Sequence, residues 1–178
     1  AAYCYRQRPG LRFVAPMVST SLFDAMADAQ QRIAPDLPLA LLHGQSRDAI
    51  AAADCVLTAS GTATLETLLL KRPMLVAYRL SPVTYHLVKA LRLIKVPYAA
   101  MANLLAGREL ALEFLQDRCT AAQMGPALLA LLDDAPRRAE IVAEYDRIHR
   151  TLRHDASRSA AAAVLALIGI DQPAEAAR

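Results

Sequence analysis

Short, wholly apolar runs alternate with longer amphipathic ones along this chain. Leu11–Val18, Leu39–Leu42, Cys55–Thr58 and Pro73–Tyr78 are each too short for a helix and lack the polar alternation of a half-exposed strand. They read as strands buried on both sides. Between them lie helical patterns with start and stop signals. Thr20 or Ser21 caps a helix to about Ile33, which Pro35 and Pro38 close. Ser46 opens a short helix through Ala53. Ser60-Gly61-Thr62 turns into a helix reaching Leu70, and Pro82 stands at the first turn of one running to about Ile94. Arg6–Leu11 reads as a loop. Beyond Pro97 the character changes, and from about Thr120 the chain reads as helices alone, interrupted at Ala135-Pro136. Alternating strand and helix predicts an α/β fold: a Rossmann-like parallel sheet with helices on both faces, followed by a C-terminal helical segment.

Composition sharpens this picture. The 178 residues are 55% hydrophobic but only 5% aromatic, without Trp, so the core is aliphatic. That excludes disorder and collagen-like repeats. Twenty basic and 17 acidic residues leave a net charge of +3, with no basic stripe of the kind nucleic acid requires. The longest apolar run, Ala160–Ile170, is about half of the ~20 residues a spanning helix needs. Cys4, Cys55 and Cys119 are scattered, giving neither a metal site nor a disulfide framework and pointing to a reducing compartment. The opening Ala-Ala-Tyr-Cys-Tyr, without Met or a leader segment, predicts the later part of a longer polypeptide. Residues 1–170 form the expected domain and residues 171–178 a tail.

Open parallel sheets bind ligands beyond the carboxyl ends of their strands, so the chemistry is sought in the turns that follow them. At Ser60-Gly61-Thr62, glycine permits close backbone approach, the helix start offers free N–H groups to a phosphate, and Glu66 shares a helix face with Thr62. A carboxylate there suits a ribose diol; an ordinary capped helix with Glu66 as a first-turn acid is the competing reading. At Leu42-His43 the backbone suits the edge of a base, while His43 itself is otherwise a solvated loop residue. Around Gly107, the cluster Asn103, Arg108, Glu109, Glu113 and Gln116 offers groups for a sugar and a phosphate. Alternatively Gly107 is a helix C-cap with Arg108 and Glu109 solvated. Lys89, Arg92 and Lys95 form either a basic face for anionic lipid or a plain solvated face. His149 and His154 are off the spacing of a helical metal pair. The run Ala139–Arg153 reads as an exposed, charge-laced helix.

Ser60-Gly-Thr-Ala-Thr-Leu-Glu66, Lys71-Arg-Pro-Met74, Tyr78-Arg79 and Asn103-Leu-Leu-Ala-Gly-Arg-Glu109 with Leu115-Gln116 closely resemble the lipid-A-disaccharide synthases. Phe13-Val-Ala-Pro16 and Leu41-Leu-His-Gly44 fit the same register. The likeness runs from about Leu11 to Ile168. It implies the second, donor-binding domain of a GT-B glycosyltransferase. This family moves 2,3-diacylglucosamine from its UDP-sugar to 2,3-diacylglucosamine 1-phosphate (lipid X), releasing UDP. By resemblance, Ser60, Gly61 and Thr62 hold the diphosphate and Glu66 the ribose. Leu42 and His43 read uracil, and Asn103, Arg108, Glu109 and Gln116 face the donor sugar and phosphates. The resemblance implies no cofactor and no metal; nor is there a D-x-D. It places the acceptor site and the catalytic base in an N-terminal half outside this stretch, so the fragment is expected to bind UDP weakly and transfer nothing alone. It implies a cytoplasmic enzyme, peripheral at the inner face of a Gram-negative inner membrane, with a homodimer as one possible state. The readings that compete are another GT-B enzyme or UDP-sugar epimerase, and a non-catalytic nucleotide-binding α/β module.

Overall fold

The computed structural model describes residues 1–81, 84–85, 97–153 and 156–167. It is an α/β fold of parallel strands flanked by helices. In chain order its elements are α1 (Ala2–Gln7), β1 (Phe13–Met17), α2 (Thr20–Ile33), β2 (Leu39–His43), α3 (Ser46–Ala52), β3 (Val56–Ala59), α4 (Thr62–Leu69) and β4 (Met74–Tyr78). There follow α5 (Met101–Ala106), β5 (Leu112–Leu115), a 3-10 turn (Gln116–Arg118), α6 (Ala121–Asp133), α7 (Ala135–Leu152) and α8 (Ala156–Leu167).

All four expected strands form, and each pairs in parallel. Phe13 stands opposite Leu39 and Met17 opposite His43. Val56 lies opposite Met74 and Ala59 opposite Ala77. The strands do not make one continuous ladder: β1-β2 is a two-stranded sheet, and β3-β4-β5 is a three-stranded sheet. A fifth strand, which the apolar pattern did not reveal, pairs with β4, Leu75 opposite Leu112 and Tyr78 opposite Leu115.

Several local expectations are corrected. The helix start after β1 is capped by Ser19, whose Oγ accepts from the Leu22 N–H at 3.3 Å, so Thr20 and Ser21 are already helical. Ser46 is likewise inside α3, whose cap is Gln45 in a left-handed conformation (φ 56°). Arg6 and Gln7 belong to α1 rather than to a loop. The charge-laced run of α7 is exposed on only one side. Its inner stripe, Ile141, Tyr145 and Ile148, is almost completely buried. It packs with Leu68, Met74, Val76, Ala100, Ala102, Leu110 and Ala111 into the main core. This core sits under α4, α5 and α7, so the segments on either side of the Ser60–Thr62 turn rest on rigid packing. Asp134 caps α7, its carboxylate accepting from the Arg137 N–H at 2.8 Å. The expected helix bearing Lys89, Arg92 and Lys95 lies outside the described residues, as does His154.

Candidate functional site

The carboxyl edge of the three-stranded sheet gathers the turns after β3, β4 and β5. After β3, Gly61 adopts φ 130° and ψ −156°, a backbone conformation that side chains with a Cβ rarely take. Nothing lies within 4 Å of where a Cβ would project, so the turn is open. Gly61 caps α4 without any side chain covering the helix start. Of the first N–H groups of α4, that of Thr64 donates to the Gly61 carbonyl at 3.1 Å; those of Thr62 and Ala63 have no acceptor one helical turn back. Thr62 and Glu66 are both exposed, and their side chains carry no hydrogen bond or ion pair among the described residues. Ser60 is more committed. Its Oγ donates to the Ala99 carbonyl at 2.8 Å, leaving it only acceptor capacity toward a ligand.

A loop from Pro97 to Met101 closes one side of this turn. Besides the Ser60 contact, the Met101 N–H donates to Thr64 Oγ1 at 3.1 Å, and Thr64 Oγ1 donates to the Gly61 carbonyl at 2.7 Å. Beneath it lies Glu113, 8% exposed. Its Oε1 accepts from the Ala99 N–H (3.0 Å), the Ala100 N–H (2.9 Å) and Asn103 Nδ2 (2.8 Å), while its Oε2 accepts from Ala99 at 2.9 Å. Gln116, with φ 50°, closes the same edge: its Oε1 accepts from the Leu80 N–H at 2.7 Å, tying the exits of β4 and β5 together.

The Asn103–Glu109 stretch divides between the core and the amino edge of the sheet. Asn103 is fully buried. Its Nδ2 donates to Ala111 O and Glu113 Oε1, both at 2.8 Å. Its Oδ1 accepts from the Leu110 N–H (2.8 Å) and the Ala111 N–H (2.9 Å). Both hydrogens and both lone pairs of the amide are thus used inside the protein. Gly107 is a left-handed C-cap of α5 (φ 68°). Arg108 and Glu109 follow it and precede β5, so they stand at the amino edge of the sheet, opposite Gly61. The reason is topological: a parallel crossover must carry the chain back to the start of the next strand. There Arg108 pairs with Glu140 at 3.2 Å, both about half exposed, and Arg137 shares the same carboxylate at 2.6 Å. Glu140 is held below the usual carboxylate range, chiefly by the Arg137 hydrogen bond. Sequence reasoning singled out Asn103, Arg108, Glu109, Glu113 and Gln116 as one cluster; the fold leaves Gln116 at the carboxyl edge and Glu113 beneath the loop beside it.

At the exit of the two-stranded sheet, Leu42 is half-buried and His43 exposed. The His43 ring lies flat against Phe23 of α2, centroids 4.1 Å apart and planes 8° apart. Phe23 was not singled out in the sequence; its signal was an aromatic near the start of the helix beside β2. Gly44 and Gln45 are consecutive left-handed residues (φ 66° and 56°), and the Gly44 N–H donates to Met17 O at 2.8 Å.

A second polar group lies at the amino edge. Lys71, left-handed at φ 59°, donates from Nζ to His149 Nδ1 at 2.6 Å. Burial lowers the Lys71 pKa and Arg150 lowers it further, against an opposing pull from Asp146. Among the described residues, no group of three or more His, Cys, Asp and Glu gathers as metal ligands would.

In parallel α/β folds, an open glycine turn at a strand's carboxyl end, heading a helix, is a common place for phosphate groups to be held. The lipid-A-disaccharide synthetase family model matches residues 1–167. The lipid-A-disaccharide synthase of Pseudomonas putida (strain GB-1) is 50% identical over 171 residues, covering 94% of this chain and 43% of that protein. That of Pseudomonas aeruginosa (strain LESB58) is 51% identical over 162 residues, covering 91% and 41%. The chain therefore belongs to the lipid-A-disaccharide synthetase family, and it spans about two-fifths of the length of these curated relatives. The family is one of glycosyltransferases of lipid A biosynthesis. No helix among the described residues is long and apolar enough to cross a membrane.

Proposed function

We propose that this chain supplies the donor-nucleotide site of a GT-B glycosyltransferase. That enzyme transfers 2,3-diacylglucosamine from its UDP-sugar to 2,3-diacylglucosamine 1-phosphate, forming lipid A disaccharide 1-phosphate and UDP. The observation that carries the reading is the open Gly61 turn at the head of α4, with Thr62 and Glu66 exposed and unpaired beside it. The diphosphate meets the free N–H groups of the turn and the Thr62 hydroxyl. Glu66, one helical turn on, accepts from the ribose hydroxyls. Uracil lies toward the Leu42-His43 exit, where the His43 ring is already flattened against Phe23. Gln116 lines the same edge as the sugar.

The chemistry fits these positions. As the glycosidic bond to the donor breaks, negative charge gathers on the departing diphosphate. Fixed N–H dipoles and a hydroxyl already aimed at that place stabilise it without having to reorganise. The acceptor and the base that takes its proton belong to the remainder of a full-length family member. Since both substrates carry acyl chains, the whole enzyme works peripherally at the inner face of the inner membrane of a Gram-negative bacterium, with a homodimer compatible with that role. Family membership favours this reading over a UDP-sugar epimerase or a module without a ligand.

Titrating the chain with UDP while following its melting temperature tests the proposal. Ligand that binds only the folded state raises stability by RT ln(1 + [L]/Kd), so millimolar UDP raises Tm. Glu66→Ala weakens UDP binding by about 1–3 kcal/mol, the cost of losing hydrogen bonds to a charged acceptor. An unmoved Tm at millimolar UDP overturns the reading, and an unchanged affinity in Glu66→Ala removes the ribose role.

A further inference from the structure

We infer that Glu113, which reaches no ligand itself, is a positioning residue for the nucleotide turn; the inference rests on the donor-nucleotide reading above. Three observations meet in it. First, a carboxylate 8% exposed is costly unless N–H donors surround it, and Glu113 is surrounded by the Ala99 and Ala100 amides and the Asn103 side chain. Second, the backbone it grips is the same short loop that takes the Ser60 hydroxyl on its Ala99 carbonyl. Third, that loop continues into Met101, whose N–H is bonded to Thr64, and Thr64 in turn holds the Gly61 carbonyl. Glu113 on one side and Ser60 and Thr64 on the other thus clamp residues 99–101 between strand β5 and the turn at the head of α4.

The consequence concerns freedom at Gly61. A glycine at φ 130° has no side chain to hold its conformation, so its geometry is set by what grips its neighbours. Ser60 before it and Thr64 after it are both anchored to the 99–101 loop, and the loop is anchored to Glu113. Removing the carboxylate loosens the loop and, through Ser60 and Thr64, the carbonyls and N–H groups of the turn. The affected step is ligand binding, because the turn then meets a diphosphate in many arrangements rather than one.

The experiment is UDP affinity of the full 178-residue chain, by calorimetry well below each variant's Tm. Glu113→Ala weakens UDP by about tenfold, the scale of a typical coupling energy between residues in one network. Glu113→Gln keeps one acceptor oxygen for Ala100 and Asn103 and restores affinity to within about threefold of the parent. Ser60→Ala and Glu113→Ala act through one loop, so the double variant loses little more than the weaker-binding single variant. A role confined to stability lowers Tm but leaves the affinity of the folded molecules alone. Unchanged affinity in both Glu113 variants, or strict additivity with Ser60→Ala, overturns the inference. Should Glu113→Ala fail to fold, the parent chain still decides. Saturating UDP slows amide hydrogen exchange at Ala99, Ala100 and Met101, and unaltered exchange there refutes the clamp. Absence of UDP binding by the parent chain overturns the donor reading and this inference together, whereas parent binding with indifferent Glu113 variants overturns this inference alone.

Discussion

Replacing Asn103 by alanine separates a ligand-facing amide from a structural one. The structure assigns it four internal hydrogen bonds and no exposed surface. Truncation leaves the Leu110 N–H, the Ala111 N–H and the Ala111 carbonyl buried without partners, while Glu113 keeps its two backbone donors. Each orphaned group costs about 1–3 kcal/mol, and the lower part of that range applies because a water molecule nearly fills the vacated space. The expected loss is about 3–6 kcal/mol, a large share of the roughly 5–15 kcal/mol available to a domain. Asn103→Asp gives a finer test. It retains the acceptor for Leu110 and Ala111 but sets a second carboxylate against Glu113 at hydrogen-bond distance. One proton shared by the pair restores the missing donor, so the folded state of this variant holds a proton that the unfolded chain releases above about pH 4. Its stability is therefore greatest in mild acid and falls as pH rises toward neutrality, unlike the parent's. Urea unfolding followed by far-ultraviolet circular dichroism at pH 5 and pH 7 measures both effects. A surface amide meeting only a sugar costs no more than about 0.5 kcal/mol of stability when truncated. A value that small for Asn103→Ala, or a parallel pH profile for Asn103→Asp, refutes the buried placement.

Two other outcomes follow from the same geometry. A Cβ at Gly125 of α6 falls 2.2 Å from Tyr3 Cδ1, so Gly125→Ala forces α1 off α6 and costs about 1–3 kcal/mol by thermal unfolding; Tyr3→Ala in the same chain recovers part of it. Arg108→Ala, at the amino edge in a half-exposed ion pair, changes stability by no more than about 1 kcal/mol and leaves UDP affinity as it was; a tenfold weaker UDP complex contradicts that placement.

The parts of the molecule that could be read from the residues are those where one signal dominates. Apolar runs marked β1 to β4, and the Ser-Gly-Thr turn marked a strand exit with an open backbone. Strand β5 escaped because Leu112-Glu-Phe-Leu115 carries an acid at its centre. That acid is tolerated because three N–H donors from the preceding segment, Ala99, Ala100 and Asn103, converge on it. Missing β5 had a direct cost for the site. Without it, Asn103, Arg108, Glu109, Glu113 and Gln116 read as one polar cluster around Gly107. With it, the same stretch becomes a helix, a return and a strand, and its groups divide between core, amino edge and carboxyl edge. The helix caps slipped by one residue because Ser19, Thr20 and Ser21 are chemically alike, and only backbone geometry chooses among them.

The contact of α1 with α6 also bears on how the chain acquires its structure. The Cys4 thiol reaches the Gly125 carbonyl at 3.7 Å across 121 positions of sequence, and Arg8 pairs with Asp133. On a ribosome adding about 5–20 residues per second, α1 is synthesised on the order of ten seconds before the surface that buries Tyr3 and Cys4. Closure of so long a loop comes late and slowly. Until then α1 lacks the surface that Tyr3 and Cys4 pack against, and the interval before α6 emerges is when a chaperone or a neighbouring nascent chain has its opportunity to capture it.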